Sequence, residues 1–161
     1  MKTTTIMTLL AISSLIVGGT RVSAEDTMVS QAWEGHKTGD HCFALSFPVD
    51  ERHGSASESY LTVTNRFRDK IQDEVGFVSG FAGEQSVEGS LRIDGGKPIQ
   101  LLVFQGTGYL KSTSLERDVV RQMRSGKELS VEWSSDDGPD VTDRFSLFGF
   151  TKANNFAKEC R

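Results

Sequence analysis

The sequence predicts an all-β fold of the sandwich type. Three observations lead there: most segments alternate apolar and polar residues with a period of two, turn residues separate them at short intervals, and only two stretches carry helical periodicity. The chain has 161 residues, 37% of them hydrophobic and 25% charged, with 16 Gly and 3 Pro, the profile of an ordinary globular domain rather than a disordered or collagenous one. One domain is expected over residues 25–161. Eighteen basic against 22 acidic residues give a net charge of -4, which disfavours a nucleic-acid partner because no broad basic face is available.

The first 24 residues read as a separate element. Lys2 precedes an uncharged stretch from Thr3 to Thr20, whose apolar centre runs from Ile6 to Val17, and Val22-Ser23-Ala24 places small residues where signal peptidase needs them. A secretory signal cleaved after Ala24 is therefore expected. The apolar centre is shorter than the roughly 20 residues that span a bilayer, and no Cys follows it to accept a lipid anchor. A periplasmic or secreted location is therefore expected, without stable membrane insertion.

Along the rest of the chain the strands follow in order. Cys42 to Phe47, Tyr60 to Asn65 and Glu74 to Ser79 read as strands, with a polar loop from Asp50 to Glu58. Cys42, Ala44 and Ser46 share one strand face and Phe43, Leu45 and Phe47 the other, so the large residues are expected in the core and the small ones beneath a helix. Val87, Leu91 and Ile93 alternate with Glu88, Ser90 and Arg92, and Asp94-Gly95-Gly96 supplies positive-φ residues for a tight hairpin into Ile99 to Phe104. That last run is apolar on both faces, as for a central strand covered on both sides. Leu129, Val131 and Trp133 form a further strand, turning through Ser134 to Asp140 into Val141, Phe145 and Leu147.

Two helices interrupt the strands. Thr113-Ser114-Leu115-Glu116 fits a capping box, Leu115, Val119, Val120 and Met123 form one apolar face, and Gly126 provides the stop, so a crossover helix of about three turns is expected. Ala153, Phe156, Ala157 and Cys160 fall at i, i+3, i+4 and i+7, which predicts a short C-terminal helix with Cys160 on its packed face.

Cys42 and Cys160 are the only cysteines, and the signal sequence sends both to an oxidising compartment. A disulfide between them is the leading reading. It would close a loop of more than about 100 residues, worth roughly 4 to 5 kcal/mol in the chain-entropy model. The alternative is a reactive thiol at Cys42, with the adjacent His41 stabilising the thiolate.

Motifs that carry chemistry are sparse. His36, His41 and His53 with Asp40 match no metal-ligand spacing, and Asp136, Asp137, Asp140 and Asp143 lack the regular spacing and terminal Glu of an EF-hand loop. There is no G-x-S-x-G elbow and no phosphate loop, and Glu84, Glu88, Glu116 and Asp118 are isolated carboxylates in an acid-rich chain. No cofactor, metal or catalytic residue is therefore assigned, and the chain is not expected to be an enzyme. A binding role fits better, because sandwiches bind through end loops and edges. Candidate partner-binding residues are Arg52 and His53 in the polar loop, and Arg66, Arg68 and Lys70, a small basic patch on an acidic protein.

Several segments resemble the invasion-associated locus B family of exported alphaproteobacterial proteins. They are Cys42-Phe43-Ala44-Leu45-Ser46 followed by Pro48, Tyr60 to Arg66, Asp73-Glu74-Val75, Ile93-Asp94-Gly95, the V-x-x-M-x-x-G-K pattern from Val120 to Lys127, and Thr142 to Ala153. Their order and spacing run through nearly the whole chain after Ala24. Trp33, Cys42 and Cys160 are similar in placement to the family's early Trp and its two Cys. The stretch from Trp33 to Cys42 is shorter than the family's, and Asp136 to Asp140 makes the last hairpin turn more acidic. The resemblance implies an immunoglobulin-like antiparallel β-sandwich, an envelope or periplasmic location, a protein partner in the envelope or on a host cell, and a link to host-cell invasion. It supplies no catalytic motif. The rival readings are a periplasmic hydrolase, which needs convergent polar groups in a cleft, and an envelope assembly or stress factor.

Overall fold

Residues 26–39, 41–50, 59–79, 87–135 and 138–159 are described by a computed structural model of the chain. The expected signal peptide, the loop residues Arg52 and His53, and Asp40, Glu84, Asp136, Asp137 and Cys160 lie outside the described residues.

The described residues form ten strands: β1 (Asp26–Ser30), β2 (Trp33–Thr38), β3 (His41–Ser46), β4 (Tyr60–Arg66), β5 (Ile71–Val78), β6 (Val87–Ile93), β7 (Ile99–Phe104), β8 (Thr107–Tyr109), β9 (Glu128–Ser135) and β10 (Gly138–Ser146). Helix α1 (Thr113–Ser125) connects β8 to β9, and α2 (Phe150–Lys158) follows β10. All pairings are antiparallel, in the order β1-β2-β3-β4-β5-β8-β7-β6-β9-β10. Strand β7 is the corner of this ribbon. Its first half, Ile99 to Leu101, pairs with β6, and its second half, Leu102 to Phe104, pairs with β8. One strand thereby serves two sheets, and the ribbon folds back on itself as a sandwich. Across the interior, Phe77 of β5 meets Trp133 of β9 with ring centroids 4.7 Å apart and Phe145 of β10 at 5.6 Å.

The expected all-β sandwich with a crossover helix and a short terminal helix is thus present, but several local expectations are corrected. The run Ile99 to Phe104 is not covered on both sides: Leu101 is buried, while Leu102 and Phe104 stand exposed. Its continuous apolar character fits a strand that changes partners midway rather than one buried between two layers. Strands β1, β2 and β8 had no clear alternation to reveal them, since Gly35, Lys37 and Gly108 interrupt the apolar positions. The hairpin at Asp94-Gly95 is as expected, with φ of +49° and +68°. Gly126 does end α1, but at φ -79°, so its role is close approach. A Cβ there would lie 2.8 Å from Ile93 Cγ2 and 2.9 Å from Leu147 Cδ1.

The assignment of faces on β3 is also reversed in part. Cys42, Ala44 and Ser46 are buried, and they form the expected seat for α2, with Cys42 packed against Ala157. Phe43 and Leu45 are only half-buried and Phe47 is exposed, so they do not fill the core. The interior is supplied instead by Trp33, Leu61, Val63, Val75 and Phe77 from one sheet and Leu91, Leu129, Val131, Trp133 and Phe145 from the other. Small residues on β2 and β3 let the helix approach closely. A Cβ on Gly35 would come within 2.8 Å of Phe156 Cδ1. Polar groups then fix the helix: Asn154 Nδ2 donates to Asp73 Oδ1 at 3.3 Å and Lys158 Nζ pairs with Asp73 Oδ2 at 2.7 Å, while Trp33 Nε1 ties β2 to the end of β10 by donating to the Ser146 carbonyl at 2.8 Å.

At the start of α1 the capping residue is Ser112 rather than Thr113, its hydroxyl accepting from Leu115 N–H at 3.3 Å. Glu116 therefore does not close a capping box. Its carboxylate accepts the backbone N–H of Val75, at a point on β5 where β8 has not yet begun to pair. Burial, and then the neighbouring charges of Glu74 and Asp73, raise its pKa above the ordinary glutamate value despite that hydrogen bond. The folded state thus holds this proton more tightly than the unfolded chain does. Stability from this site is complete below the unfolded value and declines as pH rises through the folded one. Glu116→Gln, whose amide oxygen still accepts from Val75, is expected to remove that decline. Urea midpoints taken across the mildly acidic range should fall less with rising pH in the variant than in the wild type. Parallel curves would show that Glu116 does not titrate this way.

Candidate functional site

The displaced aromatic residues of β3 have a consequence for the surface. On the outer face of the first sheet, strand register aligns Leu45 with Thr62, Thr62 with Gly76, and Gly76 with Tyr109. The flanking rows are Phe43, Thr64 and Glu74 on one side, and Tyr60, Val78 and Thr107 on the other. Gly76 sits at the middle of the central row, where a Cβ would lie 3.0 Å from Thr62 Oγ1. With no side chain there, the face sinks between taller neighbours. The resulting groove has a volume of about 730 Å³, within the range typical of ligand sites.

Phe43, Leu45, Phe47, Tyr60, Val78 and Tyr109 give this groove its apolar and aromatic surface, and Thr62, Thr64 and Thr107 line it with hydroxyls. Phe47 is 44% exposed and Tyr109 38%, more than buried core residues of this size would show. The charged lining residues are Arg66 and Glu74, which pair with each other at 2.9 Å at one end. Strands β3, β4, β5 and β8 are each paired on both sides. Their backbone groups are committed to the ladder, so anything held here is recognised by side chains and not by addition of a strand.

Of the residues singled out from sequence, Arg66 reaches the groove directly. Its guanidinium also approaches Asp69 at 3.3 Å. Arg68 and Lys70 lie beyond it in the exposed turn between β4 and β5. Arg52 and His53 lie outside the described residues. Among the described residues the candidate acid-base carboxylates stand apart: Glu88 is exposed, Glu116 is engaged with β5, and Asp118 pairs with Arg121 at 2.8 Å. His36 stacks on Phe43 with centroids 5.0 Å apart and bonds Glu34 at 2.9 Å. Among the described residues, no three His, Cys, Asp or Glu side chains gather as metal ligands, and no helix is long and apolar enough to cross a membrane.

Sequence reading missed Phe43, Leu45, Phe47, Tyr60 and Tyr109 as surface residues. Alternation shows that a strand has two faces but not which one is covered. The available signal was size: Gly35 on β2 lies opposite Ala44 on β3, and together they prepare a close-packed helix seat on the opposite face.

No protein-family model matches the chain, and no curated protein matches it. Among solved structures it is similar to the crystal structure of invasion associated protein B from Bartonella henselae. The match has a TM-score of 0.58 and 20% sequence identity, and it covers 83% of this chain and 96% of that one. At this level of identity the likeness establishes the shared fold.

Proposed function

We propose that this chain is an exported, noncatalytic interaction protein of the periplasm or cell envelope, whose binding surface is the outer groove of the first sheet. The observation that carries the reading is the combination of aromatic side chains left exposed on a rigid sheet with a depression at Gly76 between them. Aromatic residues and Arg concentrate binding energy at protein interfaces. The partner is a protein segment that presents apolar side chains to the floor and an acidic group to the Arg66 end, where Arg68 and Lys70 continue the positive charge.

The leader ending at Ala24 supports export, and the Cys42 to Cys160 disulfide belongs to the same reading because it needs an oxidising compartment. Cys42 is fully buried, and no cysteine among the described residues is free. Association with host-cell invasion is carried by the name of the Bartonella protein, and it extends to this chain as part of the proposal.

A photo-crosslinking residue at Thr107, inside the groove, should yield a protein adduct in intact cells, whereas one at exposed Arg117 on α1 should not. Combining Phe47→Ser with Tyr109→Ser should reduce that adduct about tenfold, the loss of a two-residue hot spot. The melting transition should fall only modestly, since both side chains are partly solvated and lie outside the core. Equal adducts from both positions, or an adduct indifferent to the double substitution, would remove the groove from the function.

A further inference from the structure

Beyond the groove, on the far side of Arg66, the β4–β5 ladder is irregular. Thr64 pairs with Glu74 and Arg66 with Ile71, so β5 carries one extra residue at Gln72 and Asp73. Asp73 adopts φ +60° and turns inward to Asn154 and Lys158. Such a bulge re-aims the side chains on either side of it. Here it opens a second concavity of about 470 Å³ lined by Arg66, Lys70 and Lys158, together with Phe67 and Asn65, and by no carboxylate. Three cations therefore face one pocket of a chain whose net charge is -4.

Two of those cations are already held by carboxylates. Glu74 and Asp69 hold Arg66, and Asp73 holds Lys158 at 2.7 Å. Lys70 forms no ion pair among the described residues. It stands in the exposed turn between β4 and β5, and its side chain lines the pocket. A second and independent observation comes from Asn65, which is 6% exposed. Its Oδ1 accepts from Asp73 N–H at 3.1 Å, but its Nδ2 has no hydrogen-bond partner among the described residues. A buried amide donor without an acceptor costs free energy that a ligand oxygen can recover. Phe67, 68% exposed beside it, offers a flat apolar wall.

We infer that this pocket binds a phosphate-class anion, either a free phosphate ester or the headgroup of an anionic lipid. Arg66 supplies the guanidinium N–H groups left over from its pairs with Asp69 and Glu74, Lys158 and Lys70 supply charge, and Asn65 gives a neutral donor. Attraction of this kind weakens with added salt. The pocket shares Arg66 with the groove and Lys70 with the positive end proposed for its partner, but Asn65 and Lys158 belong to it alone, and direct titration with phosphate reads it whatever the groove binds.

The test titrates the purified protein with inorganic phosphate, and separately with vesicles of phosphatidylglycerol or of phosphatidylcholine, following backbone amides of residues 65–72 by NMR. Saturable shifts with phosphate, weakened about tenfold by Lys70→Gln and unaffected by Lys152→Gln on the exposed face of α2, are the expected result. A response confined to phosphatidylglycerol vesicles and lost in Lys70→Gln would support the pocket and name the lipid headgroup as its source. No saturation with either probe, or equal loss in both lysine variants, would overturn the inference. Lys70 is an exposed turn residue, so an unchanged melting temperature for its variant will show that the fold is not the cause.

Discussion

Gly149→Ala is expected to destabilise the protein by more than about 3 kcal/mol, the range in which a single substitution reflects an incompatible backbone. Gly149 caps the N-terminus of α2 with φ +96° and ψ -16°. A Cβ on it would overlap the carbonyl group of Ser30 at the end of β1, and that group is backbone with no rotamer to give way. The adjoining contacts bind the same junction: Ala32 N–H donates to the Phe148 carbonyl at 3.3 Å, and Trp33 packs on Phe150 with centroids 4.8 Å apart. Relief of the clash requires α2 to lift off β1 and β2, which exposes Phe150 and Ala153. Gly95 provides the control. Its φ is +68°, but a Cβ there meets nothing within 4 Å, so Gly95→Ala should show only the left-handed penalty of about 1 kcal/mol. Urea denaturation of both variants separates the two effects. Equal losses would mean that α2 tolerates displacement at Gly149.

The features that were legible from sequence are those decided locally. Asp94-Gly95 has to be a hairpin turn because few other residues adopt those dihedrals, and the structure adds that the Asp94 carboxylate accepts the Lys127 and Glu128 N–H groups at 2.9 and 3.0 Å. Those bonds hold the Asp94 carboxyl below its ordinary pKa. The helices were legible for the same reason, since the apolar spacing of Val119, Val120 and Met123 has one interpretation. What could not be read was which of two faces meets another element. Phe43 and Leu45 look like core residues when the strand is considered alone. They become the floor of a groove only because α2 covers the opposite face, and α2 lies more than a hundred residues downstream. The candidate site divides along the same line. Arg66 and Lys70 announced themselves by charge, but Asn65 and Lys158 join them through a bulge and through a helix packed from the other end of the chain.

The proposed disulfide makes a prediction of comparable size to that at Gly149. Cys42 lies at the centre of the helix seat, fully buried against Ala157, and Cys160 follows Ala157 by three residues. A bridge there would tie the last helix to the third strand across almost the whole chain, and the loop it closes is long enough for about 4 to 5 kcal/mol of unfolded-state restriction. Cys42→Ser should therefore lower the urea midpoint strongly, both by removing the crosslink and by leaving a hydroxyl in an apolar seat. Cys160→Ser removes only the crosslink and should cost somewhat less. The double variant should lose little beyond Cys42→Ser, because two residues that act through one bond are not additive. Reductant completes the test: it should bring the wild type down to the level of Cys160→Ser and leave both single variants where they were. A wild-type midpoint that ignores reductant would leave α2 held by packing and by the Asp73, Asn154 and Lys158 contacts alone, and Cys42 would then be a buried apolar residue whose substitution costs only its packing.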